Sequence, residues 1–352
     1  MPARVAADAA AAGDGPGRRA TIRDVADAAE VSRSTASRAL TGRGYVAPVV
    51  RERVRKAARE LGYVPDAMAR HLRQQASQSV GVLVSDLRND FYASLAAGIG
   101  QQARRKQYTM MLSDDAGSPT VETEAAEAFV SMRVAGVIVT PVSAGISDYL
   151  TRHRIPVVEV DRQFSPGTCD AVVVDNEGAA RRVTSELLEL GHRRVALVID
   201  ETHWTTGRDR SAGHRSAYAG AGLEFDPSLV VTAGWDVEDA RREAHALLSR
   251  DNPPTAVFAA NNVLAQGVWR AAADLGKRIP EDLSLVSFDD VPWMSMVRPG
   301  ITSVGQDAVA LGCAAVIQLI ERIADPRAPV RTLMLTAPIK RRDSTASPRP
   351  TT

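Results

Sequence analysis

Hydrophobic residues follow two different patterns along the chain, and the change comes near residue 79. Between residues 21 and 62 the apolar positions recur every three or four residues, as in short helices. Beyond residue 79, short β-branched runs typical of buried strands alternate with longer helical stretches. The strand-like runs are 79–85, 108–114, 134–140, 155–160, 171–176, 194–200, 255–261 and 283–290, and the helical stretches are 91–106, 119–132, 177–191, 207–222, 236–250 and 262–276.

The second pattern predicts an α/β body. Strands that alternate with helices favour a parallel, doubly wound sheet with helices on both faces. About 260 residues of this pattern are too many for one typical domain of that kind, so we expect two lobes with a cleft between them.

The first pattern predicts a small three-helix head. Thr21 and Ser32 are suited to cap the first two helices, of which the second runs from residue 33 to 40. Pro48 is suited to the first position of a third helix. A unit of this size can carry a helix-turn-helix.

The second helix has the features of a DNA-recognition helix. Arg33, Ser34, Ser37 and Arg38 share one of its faces. The opposite face, expected to pack on the first helix, is formed by Val31, Thr35 and Leu40. In the major groove an arginine can donate two hydrogen bonds to guanine O6 and N7. A helical bundle with exposed arginines is the alternative.

The charges are separated along the chain although the net charge is only +1. Residues 18–73 contain 13 basic and 6 acidic residues, a balance of +7, whereas residues 77–352 contain 29 basic and 34 acidic residues, a balance of −5. A basic head on an acidic body indicates that the head binds a polyanion. An ordinary solvated basic surface would give the same count.

The head resembles that of the LacI family, the lactose- and galactose-repressor transcription factors. The resemblance rests on residues 21–40 (TIRDVADAAEVSRSTASRAL) and continues through segments 45–48, 51–54, 61–65 and 69–72. It implies base contacts by Arg33, Ser34 and Arg38. The full set of implied DNA-binding residues is Thr21, Ser32, Arg33, Ser34, Thr35, Ser37, Arg38, Tyr45, Ala69 and Leu72.

The resemblance also implies a hinge helix, 66–73, that folds on DNA and inserts Leu72 into the minor groove, where an apolar wedge can unstack a base step. Packing of Leu72 within a short amphipathic linker is the alternative. The sequence departs from the family pattern at Glu30, where Gly is usual, at Ala47, where a Ser cap is usual, and at Asp66, where Asn is usual. If the turn needs a positive φ at residue 30, Glu is strained there.

The body resembles periplasmic sugar-binding proteins, whose two lobes are joined by three crossovers and bind ligand at the carboxyl ends of their strands. The matching positions imply an effector site formed by Asp86, Phe91, Tyr92, Asp161, Arg210, Trp235, Asn261 and Asp289. Carboxylates, amides, arginine and aromatic faces suit a sugar, although purines use similar groups. Plain packing of the aromatic residues and capping at strand ends are the alternatives.

These inferences give an expected organisation of the chain. We expect a disordered leader at 1–19, the helix-turn-helix domain at 20–64, a hinge and linker at 65–77, the body at 78–343 and a disordered tail at 344–352. Within the body, the N-lobe is expected at about 78–175 and 304–336, and the C-lobe at about 176–303 and 337–343.

The resemblance implies a sequence-specific DNA-binding repressor that acts as a homodimer on a pseudo-palindromic operator and is controlled by a small polar effector, expected to be a sugar. No catalytic or nucleotide-binding motif occurs in the sequence, so neither an enzyme nor a cofactor is expected. Two cysteines, no signal sequence and no long apolar run predict a soluble, cytoplasmic, nucleoid-associated protein without a metal site or membrane contact. A solute-binding protein with the same body is the alternative, but it would lack the basic head.

Overall fold

The structure, a computed structural model, describes residues 20–42, 44–63, 77–200 and 204–349. The chain divides into two units, Met1–Ala76 and Ser77–Thr352, which we call the head and the body. The expected leader at 1–19 and the expected hinge helix at 66–73, with Ala69 and Leu72, lie outside the described residues.

The head contains the three predicted helices, α1 (Ile22–Ala28), α2 (Arg33–Thr41) and α3 (Pro48–Glu60). Thr21 and Asp24 form a reciprocal capping box at the start of α1. Ser32 caps α2 by accepting a hydrogen bond from the backbone amide of Thr35 at 3.1 Å. The predicted starts of the helices are therefore confirmed, because local side-chain chemistry fixes them.

A small apolar cluster holds the three helices together. On α2 the buried residues are Ala36 and Ala39, which are fully excluded from solvent. The prediction that Val31, Thr35 and Leu40 form the packed face is therefore only partly right, since these three are half-buried and flank the two alanines. Small side chains at the centre of the contact allow α2 to lie close to its neighbours.

The turn between α1 and α2 contains the expected positive φ. Glu30 has a φ of +52°, in the left-handed region that favours glycine. Ala47 makes no side-chain cap at the start of α3. The two departures from the family pattern that the structure describes thus leave one strained residue and one uncapped helix in the head.

The body has twelve strands and nine helices within the described residues. The strands are β1 (Ser79–Val84), β2 (Thr109–Asp114), β3 (Gly136–Val139), β4 (Val157–Val160), β5 (Asp170–Val174), β6 (Val195–Ile199), β7 (Val230–Thr232), β8 (Ala256–Ala259), β9 (Ser284–Phe288), β10 (Thr302–Val304), β11 (Thr332–Leu335) and β12 (Ile339–Lys340). The helices are α4 (Asp90–Arg105), α5 (Pro119–Ser131), α6 (Ile146–Arg152), α7 (Asn176–Glu189), α8 (Thr205–Gly220), α9 (Val237–Leu248), α10 (Asn262–Asp274), α11 (Trp293–Met296) and α12 (Ala308–Ala324).

The strands form two six-stranded sheets with the same internal order. The N-lobe sheet runs β11-β5-β4-β3-β1-β2, and the C-lobe sheet runs β12-β10-β9-β8-β6-β7. All pairings are parallel except that of β12 with β10. The described chain passes between the sheets after β5, after β10 and after β11, so the predicted pair of parallel, doubly wound lobes with three crossovers is confirmed.

The last described segment packs on the C-lobe. The Ser344 hydroxyl donates to the Leu285 carbonyl at 2.6 Å and accepts from the Thr302 amide at 2.8 Å. The Ala346 carbonyl accepts a hydrogen bond from His192 at 2.9 Å. The prediction of disorder from residue 344 is therefore wrong for 344–349, because this segment completes the hydrogen bonding beside β9.

A fully buried histidine lies in the C-lobe. His214 on α8 is bonded through Nδ1 to the Thr184 hydroxyl at 3.0 Å, and the rings of Tyr218 and Phe225 pack on it edge-to-face. Burial lowers the pKa of His214 to about 4. The imidazole is therefore neutral in the folded protein at pH 7.

The strain at Glu30 predicts that Glu30→Gly stabilises the head by about 0.5–1 kcal/mol. Glycine removes the strain of the left-handed conformation, and the greater flexibility that it gives the unfolded chain offsets part of this gain. Hydrogen exchange of the α1 and α2 amides in the full chain measures this free energy. Glu30→Gln is the matched control, since it removes the charge and keeps the side-chain clash. Equal protection of the glycine and glutamine variants would contradict the assignment of strain.

The burial of His214 predicts a pH-dependent stability difference between the unmodified protein and His214→Leu. The unfolded imidazole protonates below about pH 6.5, whereas the folded one stays neutral down to its lower pKa. The stability of the unmodified protein relative to the variant should thus fall by about 2 kcal/mol between about pH 7 and about pH 5. Urea unfolding of both proteins at the two pH values tests this, and a constant difference would refute it.

Candidate functional site

The exposed face of α2 carries the predicted base-contacting residues. Arg33, Ser34 and Arg38 are exposed, and Ser37 is half-buried beside them. The Arg38 guanidinium leans back along the helix, with Nε 3.4 Å from the Ser34 carbonyl. The buried alanines lie on the other side of α2, so the helix presents its polar, cationic face outward.

The other described DNA-binding candidates are an exposed tyrosine and three residues of the helix caps. Tyr45 is 86% exposed, so its ring is accessible to a binding partner. Thr21, Ser32 and Thr35 are engaged in the helix caps, and the Ser32 and Thr35 hydroxyls lie 2.8 Å apart. Their side chains therefore fix the ends of α1 and α2 in addition to any contact with DNA.

A cleft lies at the carboxyl ends of the parallel strands of the body. It encloses a cavity of about 40 Å³, room for about three water molecules. All eight predicted effector residues line it: Asp86, Phe91, Tyr92, Asp161, Arg210, Trp235, Asn261 and Asp289. The structure therefore brings together every residue of the predicted effector site.

Two aspartates occupy equivalent positions in the two lobes. Asp161 directly follows β4 and Asp289 directly follows β9, the third strand in each sheet order. Both have a left-handed backbone, with φ of +68° and +67°, and both are 4% exposed. Strained backbone held at two matching strand ends is typical of a functional site.

Asp289 is held by two amide side chains. Its Oδ1 accepts from Gln306 at 2.5 Å, and its Oδ2 accepts from Asn262 Nδ2 at 3.1 Å. The Gln306 carbonyl oxygen is buried and has no hydrogen-bond partner. Asp290, the next residue, forms ion pairs with Arg342 and Lys340 instead. Neighbours along the chain thus serve different sites, as expected at the end of a strand.

Arg162 fills much of the cleft wall in the N-lobe. Its guanidinium carbon lies 3.6 Å from the centre of the Trp204 ring and 5.7 Å from that of Trp235. It donates to the Tyr92 hydroxyl at 2.5 Å, and its Nε lies 3.8 Å from Asp161 Oδ2. The cation is therefore stacked on an aromatic ring and kept beside a carboxylate.

Burial and charge act in opposite directions on the acids near Arg162. Burial raises the pKa of Asp161, and the positive charge of Arg162 partly offsets this increase. Burial also raises the pKa of Tyr92, whose hydroxyl stays protonated and donates to Asp161 at 3.3 Å. The N-lobe wall is thus a connected network of tyrosine, aspartate and arginine.

Arg210 has a similar place in the C-lobe wall. Its guanidinium carbon lies 3.6 Å from the Phe288 ring centre, and its Nε donates to Asn176 at 2.9 Å. A further hydrogen bond runs to the Ala260 carbonyl at 2.5 Å. These contacts fix the direction of the side chain, which is 5% exposed at the edge of the cleft.

Several cleft residues were not in the predicted site, namely Asn89, Arg162, Asp200, Thr206, Val263 and Gln306. Arg162 closely follows a predicted strand and Asp200 is the last residue of another, so the rule that ligands bind at strand ends would have found them. Gln306 follows β10, a three-residue strand that the apolar pattern does not reveal. Trp204, which directly precedes α8, is a further residue that the prediction missed; it contacts the cleft residue Arg162.

The two asparagines after β8 have different roles. Asn261 lines the cleft and also caps α10, since its side chain accepts a hydrogen bond from the Leu264 amide at 2.8 Å and its backbone is extended. Asn262 bonds Asp289 and, at 2.8 Å, Asn89 of the N-lobe.

The sequences of the head and of much of the body each match a known protein family. The model of the bacterial regulatory proteins of the lacI family matches residues 21–66, and that of the periplasmic binding protein-like domain matches residues 184–345. The ribose operon repressor of Halalkalibacterium halodurans is 32% identical over 320 residues, which are 91% of this chain and 95% of that protein.

Solved structures agree with these matches. The lac repressor dimer bound to operator and an anti-inducer aligns with a TM-score of 0.84 and 25% identity, covering 94% of this chain and 100% of that one. A LacI family transcriptional regulator from Enterococcus faecium with bound ribose aligns with a TM-score of 0.70 and 27% identity, covering 76% of this chain and 99% of that one.

No helix in the described ranges combines the length and apolar character needed to cross a membrane.

The helix-turn-helix head, the two-lobed body and a relative that spans nearly the whole chain lead to one conclusion. This protein belongs to the LacI family of bacterial DNA-binding transcriptional regulators.

Proposed function

We propose that this protein represses transcription from an operator bound through α2, and that an uncharged sugar in the cleft changes its affinity for that operator. One observation supports this proposal above all. A single chain joins a head with an arginine face on α2 to a cleft lined by carboxylates, amides, guanidinium groups and tryptophan.

Arg33, Ser34 and Arg38 are the proposed base contacts. Their exposure on one face of a helix with a buried alanine back suits insertion into the major groove. Each arginine has a fork of donors that matches guanine O6 and N7. Ser37, which is half-buried on α2, and the exposed Tyr45 are also proposed to contact DNA, as are Thr21, Ser32 and Thr35 at the helix starts.

The cleft has the groups that recognise a sugar. The carboxylates of Asp161 and Asp289 accept hydrogen bonds from neighbouring hydroxyls, and Arg210 donates to ring or hydroxyl oxygens. Trp235, which is 38% exposed, offers an aromatic face to C–H groups. Because one relative is a ribose operon repressor and a similar structure contains ribose, we propose ribose or a closely related sugar as the effector.

The charge of the cleft favours an uncharged ligand. Four carboxylates line it, from Asp86, Asp161, Asp200 and Asp289, against the two guanidinium groups of Arg162 and Arg210. Both arginines already stack on aromatic rings and donate hydrogen bonds within the protein. A phosphate group would thus enter a region with an excess of negative charge, which costs free energy.

The effector is proposed to act on contacts that join the lobes. Asn89 accepts a hydrogen bond from Asn262. The backbone amide of Gln163 donates to the Thr205 hydroxyl at 3.1 Å. Arg162 stacks on Trp204. The small free volume beside these contacts means that a sugar requires a wider cleft or rearranged side chains. Such a ligand binds different lobe arrangements with different affinity, which is the condition for a population shift.

We also propose a homodimer formed by the bodies, working in the cytoplasm on a pseudo-palindromic operator. A two-fold dimer presents two heads to two half-sites. The lac repressor structure is a dimer bound to operator. In this chain Leu112, Val309 and Ile317 of the N-lobe expose 39%, 41% and 43% of their surface, which suits an interface between copies.

Arg38→Ala tests the assignment of base contacts. It should weaken binding to an operator selected from randomised duplexes by about 1–3 kcal/mol and relax specificity at one base pair, because a bidentate contact is lost. Competition titrations with single-base variants of the operator measure both effects. Lys56→Ala, which removes a cation from α3, should keep the discrimination intact. Unchanged discrimination by Arg38→Ala would contradict the assignment.

Asp289→Asn tests the cleft. It should weaken ribose binding about tenfold or more, because hydrogen bonds to a charged group are lost, while operator affinity without ribose stays unchanged. Calorimetry with ribose and an operator titration measure the two effects. The matched control is Asp290→Asn. The Asp290 carboxylate accepts hydrogen bonds from Lys340 and Ser303 and does not line the cleft.

Ribose affinity should survive in Asp290→Asn, and normal ribose binding by Asp289→Asn would refute the site. If the unmodified protein does not bind ribose, a thermal-shift screen with other sugars, purines and sugar phosphates identifies the ligand class. The largest shift with a sugar phosphate would contradict the uncharged effector.

A further inference from the structure

The turns that lead into the N-lobe strands carry a group of cations that neither the cleft nor α2 uses. We call this group the basic edge; it consists of Arg104, Arg105, Lys106, Arg133, Arg152 and Arg154. All six are exposed, and none forms an ion pair within the described residues. Their charge contrasts with the balance of −5 over residues 77–352.

Sheet polarity brings these residues together. Strands β1 to β5 are parallel in the N-lobe, so their amino ends share one edge of the sheet. Helices α4, α5 and α6 end at this edge, and the six cations lie in their last turns or directly after them. Since β2 and β4 are three strand spacings apart, the cations extend over about 14 Å.

The helix dipole alone does not explain the basic edge. Cations are favoured at helix C-termini in general, and the C-lobe has the same arrangement of helices and strands. Its equivalent turns, 221–229, 249–255 and 275–283, contain three basic and five acidic residues: Arg250, Lys277, Arg278, Glu224, Asp226, Asp251, Glu281 and Asp282. The N-lobe turns 106–108, 132–135 and 153–156 contain three basic residues and no acidic one.

Backbone conformation gives a second, independent indication. Arg133 and Arg154 have φ of +52° and +61°, in the left-handed region where an L side chain is strained. The residue equivalent to Arg154 in the C-lobe turn is Gly276, with φ of +65°. At residue 154 the N-lobe thus keeps arginine where the equivalent C-lobe turn has glycine, at a cost in backbone strain.

The path of the chain indicates the partner. The segment from the head enters the body at this edge, because β1 begins there at Ser79. From Tyr63, the last described residue of the head, to Ser79 the chain spans at most about 55 Å. Duplex DNA carries one negative charge for about every 1.7 Å of its axis, counting both strands, so the part of the duplex that faces the basic edge presents several phosphates to it.

We propose that the basic edge binds phosphate groups of the same duplex that the head binds, as a second electrostatic contact without sequence preference. The proposal rests on DNA binding by the head. It assigns to the body a share of the operator affinity that does not distinguish one sequence from another.

A double variant, Arg133→Gly with Arg154→Gly, tests the proposal. Titrations at several salt concentrations use a selected operator duplex and a mixed-sequence duplex. The salt slope of the binding constant should fall by about one for each lost phosphate contact, and affinity should fall equally on both duplexes. The melting temperature should stay the same or rise, because glycine suits both positions.

Two matched variants separate charge at this edge from other effects. Arg133→Lys with Arg154→Lys keeps the cations and should keep the salt slope. Lys277→Gln with Arg278→Gln removes two cations from the C-lobe edge and should leave the slope unchanged. An unmodified slope in the glycine variant, or an equal loss in the C-lobe variant, overturns the proposal. Failure of the head would instead appear as equal affinity of the unmodified protein for both duplexes.

Discussion

The common direction of the strands is the constraint on which both lobes depend. With every pairing parallel except that of β12, each sheet has one edge where strands end and an opposite edge where helices end. The first edges of the two sheets meet at the cleft, so Asp161 and Asp289 face the same space from different lobes. At the opposite edge of the N-lobe sheet, where the strands begin, the chain from the head enters the body. The six cations of the basic edge lie at this same side. The proposed effector site and the proposed phosphate-binding residues therefore lie at opposite ends of the N-lobe strands.

Hydrogen bonds and ion pairs connect the cleft residues within each lobe, and hydrogen bonds also connect them between the lobes. In the N-lobe, Tyr92, Asp161 and Arg162 hold one another through hydrogen bonds and charge. In the C-lobe, Asp289 is held by Asn262 and Gln306. Since Asn262 also bonds Asn89, a ligand that competes for Asp289 acts on a contact between lobes. The proposed coupling between effector binding and lobe arrangement therefore depends on shared hydrogen bonds and does not need a long pathway.

Much of this architecture follows from sequence because local chemistry dictates it. Capping by Thr21 and Ser32 fixes α1 and α2, and β-branched runs fix most strands. The eight predicted cleft residues were implied by the resemblance to periplasmic sugar-binding proteins, and the structure brings all of them to one cleft. The missed features have physical causes. Strands β7 and β10 have three residues each, too few for a pattern, and the order of 344–349 depends on hydrogen bonds beside β9. The stacking of Arg162 on Trp204 joins residues from different lobes, which no local pattern reveals.

The central claim is that cleft occupancy and DNA binding are linked by one free energy. Calorimetric titration of ribose into the free protein and into its operator complex, paired with operator titrations with and without saturating ribose, measures this linkage from both directions. Thermodynamic reciprocity requires the two affinities to change by the same factor. The account predicts a shared factor that differs from one. Ribose binding of equal strength to the free and the DNA-bound protein would contradict it.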